Sequence, residues 1–400
     1  MNHPLRIAIV YDRVFPASYG GVERWFRTLA EALAAAGHVV TYLTTDHWAG
    51  APPPSLRDVT IVPVSTSAGI YTGTRRRIQP VLTFGAAIAT YLARHGTSFD
   101  VVHSTAATPV AAHAVAALAR SRGYVPVLDW WEVWGNAGWR SYLGTAGGEL
   151  AARLERSLAR SPHMPVVYSQ EHGNRLAAMR RRDDALHLTG ILPRSTLPHS
   201  PQAWPPRPYI LLANRLIPEK QTSAILAALL QAQRAVPSLE AVIVGSGPLD
   251  AELRADVSRL GLRESVSIRS DVSDEELAIL MRQALCLALL SRREGYGLVA
   301  LEAMRFGTPA LILDHPNSAA RERIVPGENG ALIQSLDPES LASAILSLHT
   351  AGMSLRERTL DWRRRHDHAL TIDHSLPYLI SLYQQGAAKR RTSGWRSARP

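Results

Sequence analysis

Six prolines stand within the sixteen residues PRSTLPHSPQAWPPRP, at positions 193–208. Proline lacks the amide hydrogen that helices and central strands require, so no regular element runs through this stretch. On either side of it the chain alternates short β-rich runs with segments of helical period. Upstream, residues 6–11, 38–44, 59–64, 99–103, 125–130 and 166–169 read as strands. The segment VERWFRTLAEALAAAG places Trp25, Leu29, Leu33 and Ala36 on one helical face and stops at Gly37. Downstream, strands are expected over 209–213, 239–244, 266–269, 285–290 and 309–313, with helices over 218–236, 249–260, 274–283 and 298–306. Such alternation specifies right-handed βαβ units and a parallel, doubly wound sheet. The expectation is an α/β protein of two doubly wound domains, 1–200 and 209–370, joined by the linker 193–208 and facing each other across a cleft. Ligands of such sheets bind at the carboxyl ends of the strands. The basic tail 387–400 lacks periodicity and is expected to be disordered.

Composition narrows the function. A chain of 400 residues exceeds one ordinary core, and its 46% apolar content suffices for two. No run approaches 18 uninterrupted apolar residues, and the first residues carry no cleavage-like site, so a soluble, cytoplasmic protein is expected. The single cysteine, Cys286, lies in the apolar run CLALL and reads as a small buried hydrophobe in a reducing compartment. The formal charge of +10 is compatible with nucleic acid, anionic lipid or a phosphorylated substrate. Its basic triplets, at 75–77, 180–182, 363–365 and 389–391, come without aromatic interleaving or paired Cys/His spacing, so no nucleic-acid partner is expected. All but two of the 44 basic residues are arginines. That Lys220 is retained points to a need for a compact ammonium there.

The stretch SRREGYGLVALEAMRFGTPALI carries the densest chemistry. A strand ending at Ser291 turns through RREGYG into a helix that starts near Gly297. Gly295 and Gly297 allow close backbone approach, and the first amides of a helix form an anion site. Glu294 and Glu302 would repel a phosphate beside them, so they read as acceptors for hydroxyls on either side of it. A ligand with hydroxyls at both ends and phosphate between is a sugar nucleotide. The phosphate also needs cations, and ANRLIPEKQ supplies Arg215 and Lys220 at the start of the second domain. A surface ion pair accounts for Arg215 alone equally well; with Lys220 five residues on, pyrophosphate binding is the better reading. VIVGSGP adds a further strand-to-helix turn with Gly245 and Gly247.

These residues resemble the retaining glycosyltransferases of family 4, which have the GT-B fold of two Rossmann-like domains. Glu294 to Glu302 matches their E-x7-E arrangement within EGYGLVALEAMRFGTP, and YGGVE, AAGHVVTYLTT, FDVVH, NRLIPEK, VGSGP, VSDEEL, PGENGALI and DPESLASAI extend the likeness over most of the chain. The resemblance implies that Arg215 and Lys220 hold the donor diphosphate and that Glu294, with the backbone of Gly295, Tyr296, Gly297 and Leu298, holds the transferred sugar. Glu302 would take the ribose hydroxyls, Gly245 would belong to the donor pocket, and the segment at Ile268 and Arg269 would line the base. Gly20 and Gly21 would close on the substrates, and a C-terminal helix, 372–386, would complete the N-terminal domain. Donor oxygens would be neutralised by side chains rather than by a metal, and no cofactor beyond the nucleoside diphosphate sugar is implied.

Four departures stand out. Asn214 and Gln221 occupy positions where glycine is common, and HPNSAARE replaces a stretch that often reads Gly-Gly-x-x-Glu. The loop after 125–128, where the family often carries a histidine, reads DWWEVWGNAGW. Asp129 or Glu132 would take over that role, or the loop would serve the acceptor; its four tryptophans suit a sugar-face or lipid platform as well as core packing. His103, ending FDVVH, is a further candidate and equally a structural histidine.

The reading is transfer of a sugar, with retained configuration, to the hydroxyl of a lipid-linked, glycan or small-molecule acceptor. A sugar phosphorylase of the same fold, a non-catalytic nucleotide-sugar-binding module and a membrane-surface module are the alternatives. For the last, Arg75–Arg77 precede the helical segment IQPVLTFGAAIATYLARH, which would make peripheral contact with an anionic membrane; an ordinary core helix with a basic end explains it too.

Overall fold

A computed structural model describes residues 3–48, 50–66, 71–72 and 75–392. The chain forms two compact units. The first gathers the chain up to Thr72, Arg76–Arg194 and the chain from His368 onward, and the second is built on Ser195–Asp367.

The strands up to the linker are β1 (Arg6–Val10), β2 (Val39–Asp46), β3 (Val59–Thr66), the two-residue β4 (Tyr71–Thr72) and β5 (Arg75–Arg76), β6 (Val101–Thr105), β7 (Val125–Trp130), β8 (Met164–Val167) and β9 (Leu186–His187). Seven of them form one parallel sheet in the order β3-β2-β1-β6-β7-β8-β9. The helices are α1 (Gly21–Ala35), α2 (Ile78–His95), α3 (Pro109–Arg122), α4 (Gly135–Arg160) and α5 (Gln170–Arg180). Strand residues such as Val10, Val102 and Leu128 pack on Phe84, Ile88 and Leu92 of α2 and Val115 of α3. Each such side chain contributes about 1.5–3 kcal/mol by leaving water.

In the second unit β10 (Tyr209–Ala213), α6 (Ala224–Ala232), β11 (Glu240–Val244), α7 (Asp250–Arg259), β12 (Val266–Arg269), α8 (Asp274–Gln283), β13 (Cys286–Leu289), α9 (Leu298–Met304), β14 (Ala310–Leu313) and β15 (Gly330–Ile333) follow in turn. The parallel sheet has the order β12-β11-β10-β13-β14-β15. Long α10 (Pro338–Leu370) leads back to the first unit, where α11 (Ile372–Thr392) ends the described chain. The core unites Ile210, Leu212, Ile243 and Leu311 with Ile225, Leu229, Leu253 and Ile345.

Three expectations need correction. The helix expected over 218–236 is a 3-10 turn, Pro218–Lys220, followed by the shorter α6; Gln221, at φ 48°, turns the chain into the left-handed region and interrupts it. The proline-rich run is not a free linker from Ser195 onward: Trp204 packs on the second core, and Arg364 Nη2 donates to the Pro198 carbonyl at 2.7 Å. The tail expected to be disordered is helical as far as Thr392, and its remainder, 393–400, lies outside the described residues. This helix is held by buried Tyr383 and by Arg390 Nη1, which donates to the Ala119 carbonyl at 2.9 Å. A face carrying an arginine has no apolar period to read.

Candidate active site

In a doubly wound sheet the crevice for a ligand opens where the strand order reverses. In the second unit that point lies between β10 and β13, which pair in parallel with Ile210 opposite Cys286 and Leu211 opposite Leu287. Both strands run out at this point into the loops that carry the candidate residues. Arg215 is exposed just after β10, Lys220 ends the 3-10 turn, and Glu294 follows β13. Lys220 and Glu294, 74 positions apart, meet: Lys220 Nζ donates to Glu294 Oε2 at 2.5 Å, with the side chains 15% and 19% exposed.

Backbone hydrogen bonds fix these loops. Asn214 N donates to Val244 O at 3.0 Å, Leu216 N to Ser246 O at 2.9 Å, and Gly245 N to Arg269 O at 2.9 Å, so the ends of β10, β11 and β12 are laced together. The GSG turn therefore passes against the Arg215 loop. A Cβ on Gly245, at φ 151°, would lie 1.9 Å from the Asn214 carbonyl oxygen, and one on Gly247 would lie 2.4 Å from that of Leu216. These glycines are required by the chain's own close packing, whatever else the turn approaches. Thr222 Oγ1 donates to Asn214 Oδ1 at 3.0 Å, tying together the two ends of the loop that bears Arg215 and Lys220. Arg292 N donates to Glu219 O at 3.2 Å and joins the Lys220 turn to the β13 loop.

Glu294 is clamped by the stretch that departs from the family pattern. Its N–H donates to Asn317 O at 3.1 Å, and Ala319 N donates back to Glu294 O at 2.7 Å. Gly295 is buried. Gly297 caps α9 at φ 88°, where a Cβ would stand 2.6 Å from that of Ala320. Tyr296 is 3% exposed, with the Arg323 guanidinium carbon 4.3 Å from its ring centre, and burial pushes its hydroxyl pKa up. Its side chain is thus part of the core. Helix α9 has seven residues, shorter than expected, and carries half-buried Glu302. Leu298 is half-buried at its start. Arg269, at the end of β12, donates from Nη2 to Glu276 Oε1 at 3.0 Å, and Glu276 also closes the capping box of α8 with Ser273.

The first-unit candidates separate. Gly20 and Gly21 stand at the start of α1, Gly20 in extended backbone. His103 and Asp129 are completely buried. His103 Nε2 donates to Asp129 Oδ1 at 2.7 Å, Trp25 Nε1 donates to Asp129 Oδ2 at 2.8 Å, and His103 Nδ1 lies 2.5 Å from the Tyr383 hydroxyl. This chain of contacts ties α1, β6, β7 and α11 together and keeps both residues from solvent, contrary to a place on an open substrate surface. Glu132 is only half-buried and accepts from Trp134 Nε1 at 2.6 Å. Of the four tryptophans, Trp130 and Trp131 are core, the latter stacked on Tyr168 at 3.8 Å between ring centres. Trp134 and Trp139 are half-buried against each other. Among the described residues, no group of three or more His, Cys, Asp or Glu side chains is placed to hold a metal ion.

Two Rossmann-like parallel-sheet domains of this kind make up the GT-B fold. Residues 19–184 match the family described as "Glycosyltransferase Family 4", and residues 197–361 match "Glycosyl transferases group 1". The chain belongs to glycosyltransferase family 4. It is 29% identical over 176 residues to a GDP-mannose-dependent alpha-(1-6)-phosphatidylinositol monomannoside mannosyltransferase of Mycolicibacterium smegmatis, covering 40% of this chain and 46% of that one. It is 31% identical over 186 residues to a D-inositol 3-phosphate glycosyltransferase of Jonesia denitrificans, covering 44% and 42% respectively. The matched part thus spans less than half the length of these two relatives. Sucrose-phosphate synthase from Thermosynechococcus elongatus shares the fold, with a TM-score of 0.79 at 20% identity over 96% of this chain and 100% of the other.

Proposed function

We propose that the protein transfers a glycosyl group from a nucleoside diphosphate sugar to an acceptor hydroxyl with retention of anomeric configuration. The observation that carries this reading is the meeting of Lys220 with Glu294 at the β10/β13 switch point, on the loop that also carries Arg215 and within the segment matching the group 1 glycosyl transferases. Arg215 and Lys220 bind the diphosphate and stabilise the charge it gathers as it leaves, which is where preorganised cations lower a barrier most. Glu294 and the backbone of Gly295–Leu298 hold the sugar, Glu302 takes the ribose hydroxyls, and the Arg269 segment lines the base. With two side-chain cations at the diphosphate, the transfer proceeds without a bound metal. Gly20 and Gly21 close on the bound donor, and Glu132 acts on the acceptor side.

The relatives' names favour GDP-mannose as donor and a phosphorylated cyclitol, free or lipid-linked, as acceptor. The protein works in the cytoplasm, at the inner face of the membrane when its acceptor is lipid-linked. Contact with that surface would use the start of α2, where Ile78 and Leu82 are 70% and 53% exposed while Phe84, Ile88 and Leu92 pack inward. Among the described residues, no helix is long and apolar enough to cross a membrane. Sedimentation with vesicles containing anionic lipid tests the contact, which is refuted if an Ile78→Glu, Leu82→Glu variant sediments as wild type does.

The site itself is tested by thermal-shift titration with UDP, GDP, ADP, CDP and TDP, without metal and then with magnesium. Selective stabilisation by one diphosphate without metal is expected, because binding to the folded state raises the melting temperature by mass action. Failure of all five to stabilise the protein would refute the reading.

A further inference from the structure

We infer that the Lys220–Glu294 ion pair is a latch that occupies the donor site until a diphosphate exchanges with the carboxylate for the ammonium. The inference rests on the functional reading above and adds a step to it.

The ammonium assigned to the diphosphate is spoken for in this structure. Lys220 Nζ sits 2.5 Å from Glu294 Oε2, and both side chains are more than four-fifths shielded from solvent. Glu294 in turn is the carboxylate assigned to the sugar hydroxyls. One contact therefore engages, with each other, two groups that are needed separately by the two halves of the donor. Shielding makes the pair stronger than an open surface ion pair, and it gives the ammonium a competitor for any incoming phosphate.

The surroundings hold both backbones, so only a side chain can move. Glu294 is fixed on both sides of its peptide by Asn317 and Ala319. The backbone around Lys220 is held by Leu216 to Ser246, by Arg292 to Glu219 and by the Thr222–Asn214 hydrogen bond. The exchange falls to the Lys220 side chain, whose four-carbon stem and three equivalent donors suit a swing between two oxygen acceptors. A guanidinium, with its fixed fork, suits that motion poorly. This gives a physical reason for a lysine at this position in a chain whose basic residues are otherwise arginine at all but one other site.

Exchange couples the two halves of the donor. A nucleoside diphosphate alone must draw Lys220 away and leave Glu294 without its cation. A nucleoside diphosphate sugar offers the freed carboxylate hydroxyl donors in the same event. The latch thus disfavours the spent diphosphate relative to the loaded donor, which aids product release.

The test is calorimetric titration of wild type, Glu294→Gln, Lys220→Ala and the double variant with GDP, UDP and the matching monophosphates, with circular dichroism to confirm folding. Removing the carboxylate's charge should tighten diphosphate binding about fivefold, the scale set by a partly shielded ion pair. Lys220→Ala should weaken diphosphate binding, and in its background Glu294→Gln should bring no gain, because the gain acts through the ammonium. Monophosphates, which lack the β-phosphate, should bind all four proteins alike. Glu294→Ala serves as a second variant, since a Gln amide can still accept from Lys220. If wild type binds diphosphate but neither Glu294 variant binds it more tightly, the latch is refuted and the site reading stands. A gain that persists without Lys220 also refutes the latch. If no protein in the set binds any diphosphate, both fall.

Discussion

Removing Lys220 should injure catalysis far more than it injures the fold, and the structure sets both magnitudes. In Lys220→Ala the Glu294 carboxylate loses a cation at 2.5 Å, yet the two side chains retain 15% and 19% exposure, so water can rehydrate the carboxylate. The loss in stability should be about 1 kcal/mol. For a unit built on Ser195–Asp367 that lowers the melting temperature by about 2–4 °C. Losing a preorganised donor at the oxygens of a leaving group instead costs about 10²–10³ in kcat. The assay is release of nucleoside diphosphate from the donor selected by thermal shift, run at saturating donor, with melting curves on the same preparations. Lys220→Arg separates charge from shape: a guanidinium cannot reproduce a single-point contact and a swing between acceptors, so it should restore no more than about a tenth of the rate. Turnover by Lys220→Ala within threefold of wild type would refute the assignment of Lys220 to the leaving group. A melting loss beyond ten degrees would refute the separation of function from fold.

Gln221 stands at φ 48° where the family commonly has glycine, so Gln221→Gly should relieve left-handed strain and raise the melting temperature, with a gain of about 0.5–1 kcal/mol. An unchanged or lower melting temperature would show that the Gln221 side chain contributes more than its backbone costs. A pH effect is expected in the first unit. His163, enclosed with Trp130 and Arg180, has its pKa pulled down from 6.5 to about 3, chiefly by burial and then by the Arg180 charge. It stays neutral when folded and takes a proton when unfolded, so its stabilisation is complete above pH 6.5 and is lost as the pH falls towards 3. Between pH 7 and pH 5 the loss is about 2 kcal/mol. Urea unfolding followed by tryptophan fluorescence should show this slope in wild type but not in His163→Gln, and equal slopes would refute it.

Much of the architecture was legible because it rests on local period. The strands of both sheets follow runs of buried aliphatic residues, and α1 follows a face pattern. Arg215, Lys220 and Glu294 were legible as residue types at the ends of elements. Other features depend on partners far away in the chain. Tyr296 reads like part of a ligand loop, and its burial under Arg323 arises only when β14 and the turn after it fold against α9. His103 and Asp129 read as site candidates until Trp25 and Tyr383 enclose them. The glycines of VGSGP signal a close approach, but not that the approaching backbone is that of Asn214 and Leu216.

By itself the sequence determined the doubly wound class, the presence of two cores and the chemical inventory of the site, because hydrophobic period, proline and glycine act within a few residues. Tertiary structure alone decided that Lys220 faces Glu294, that Asn317 and Ala319 clamp that glutamate and that His103 is sealed. Those outcomes depend on strand order and loop register over separations of tens to hundreds of residues, and no local propensity encodes a contact between groups whose meeting depends on the whole sheet.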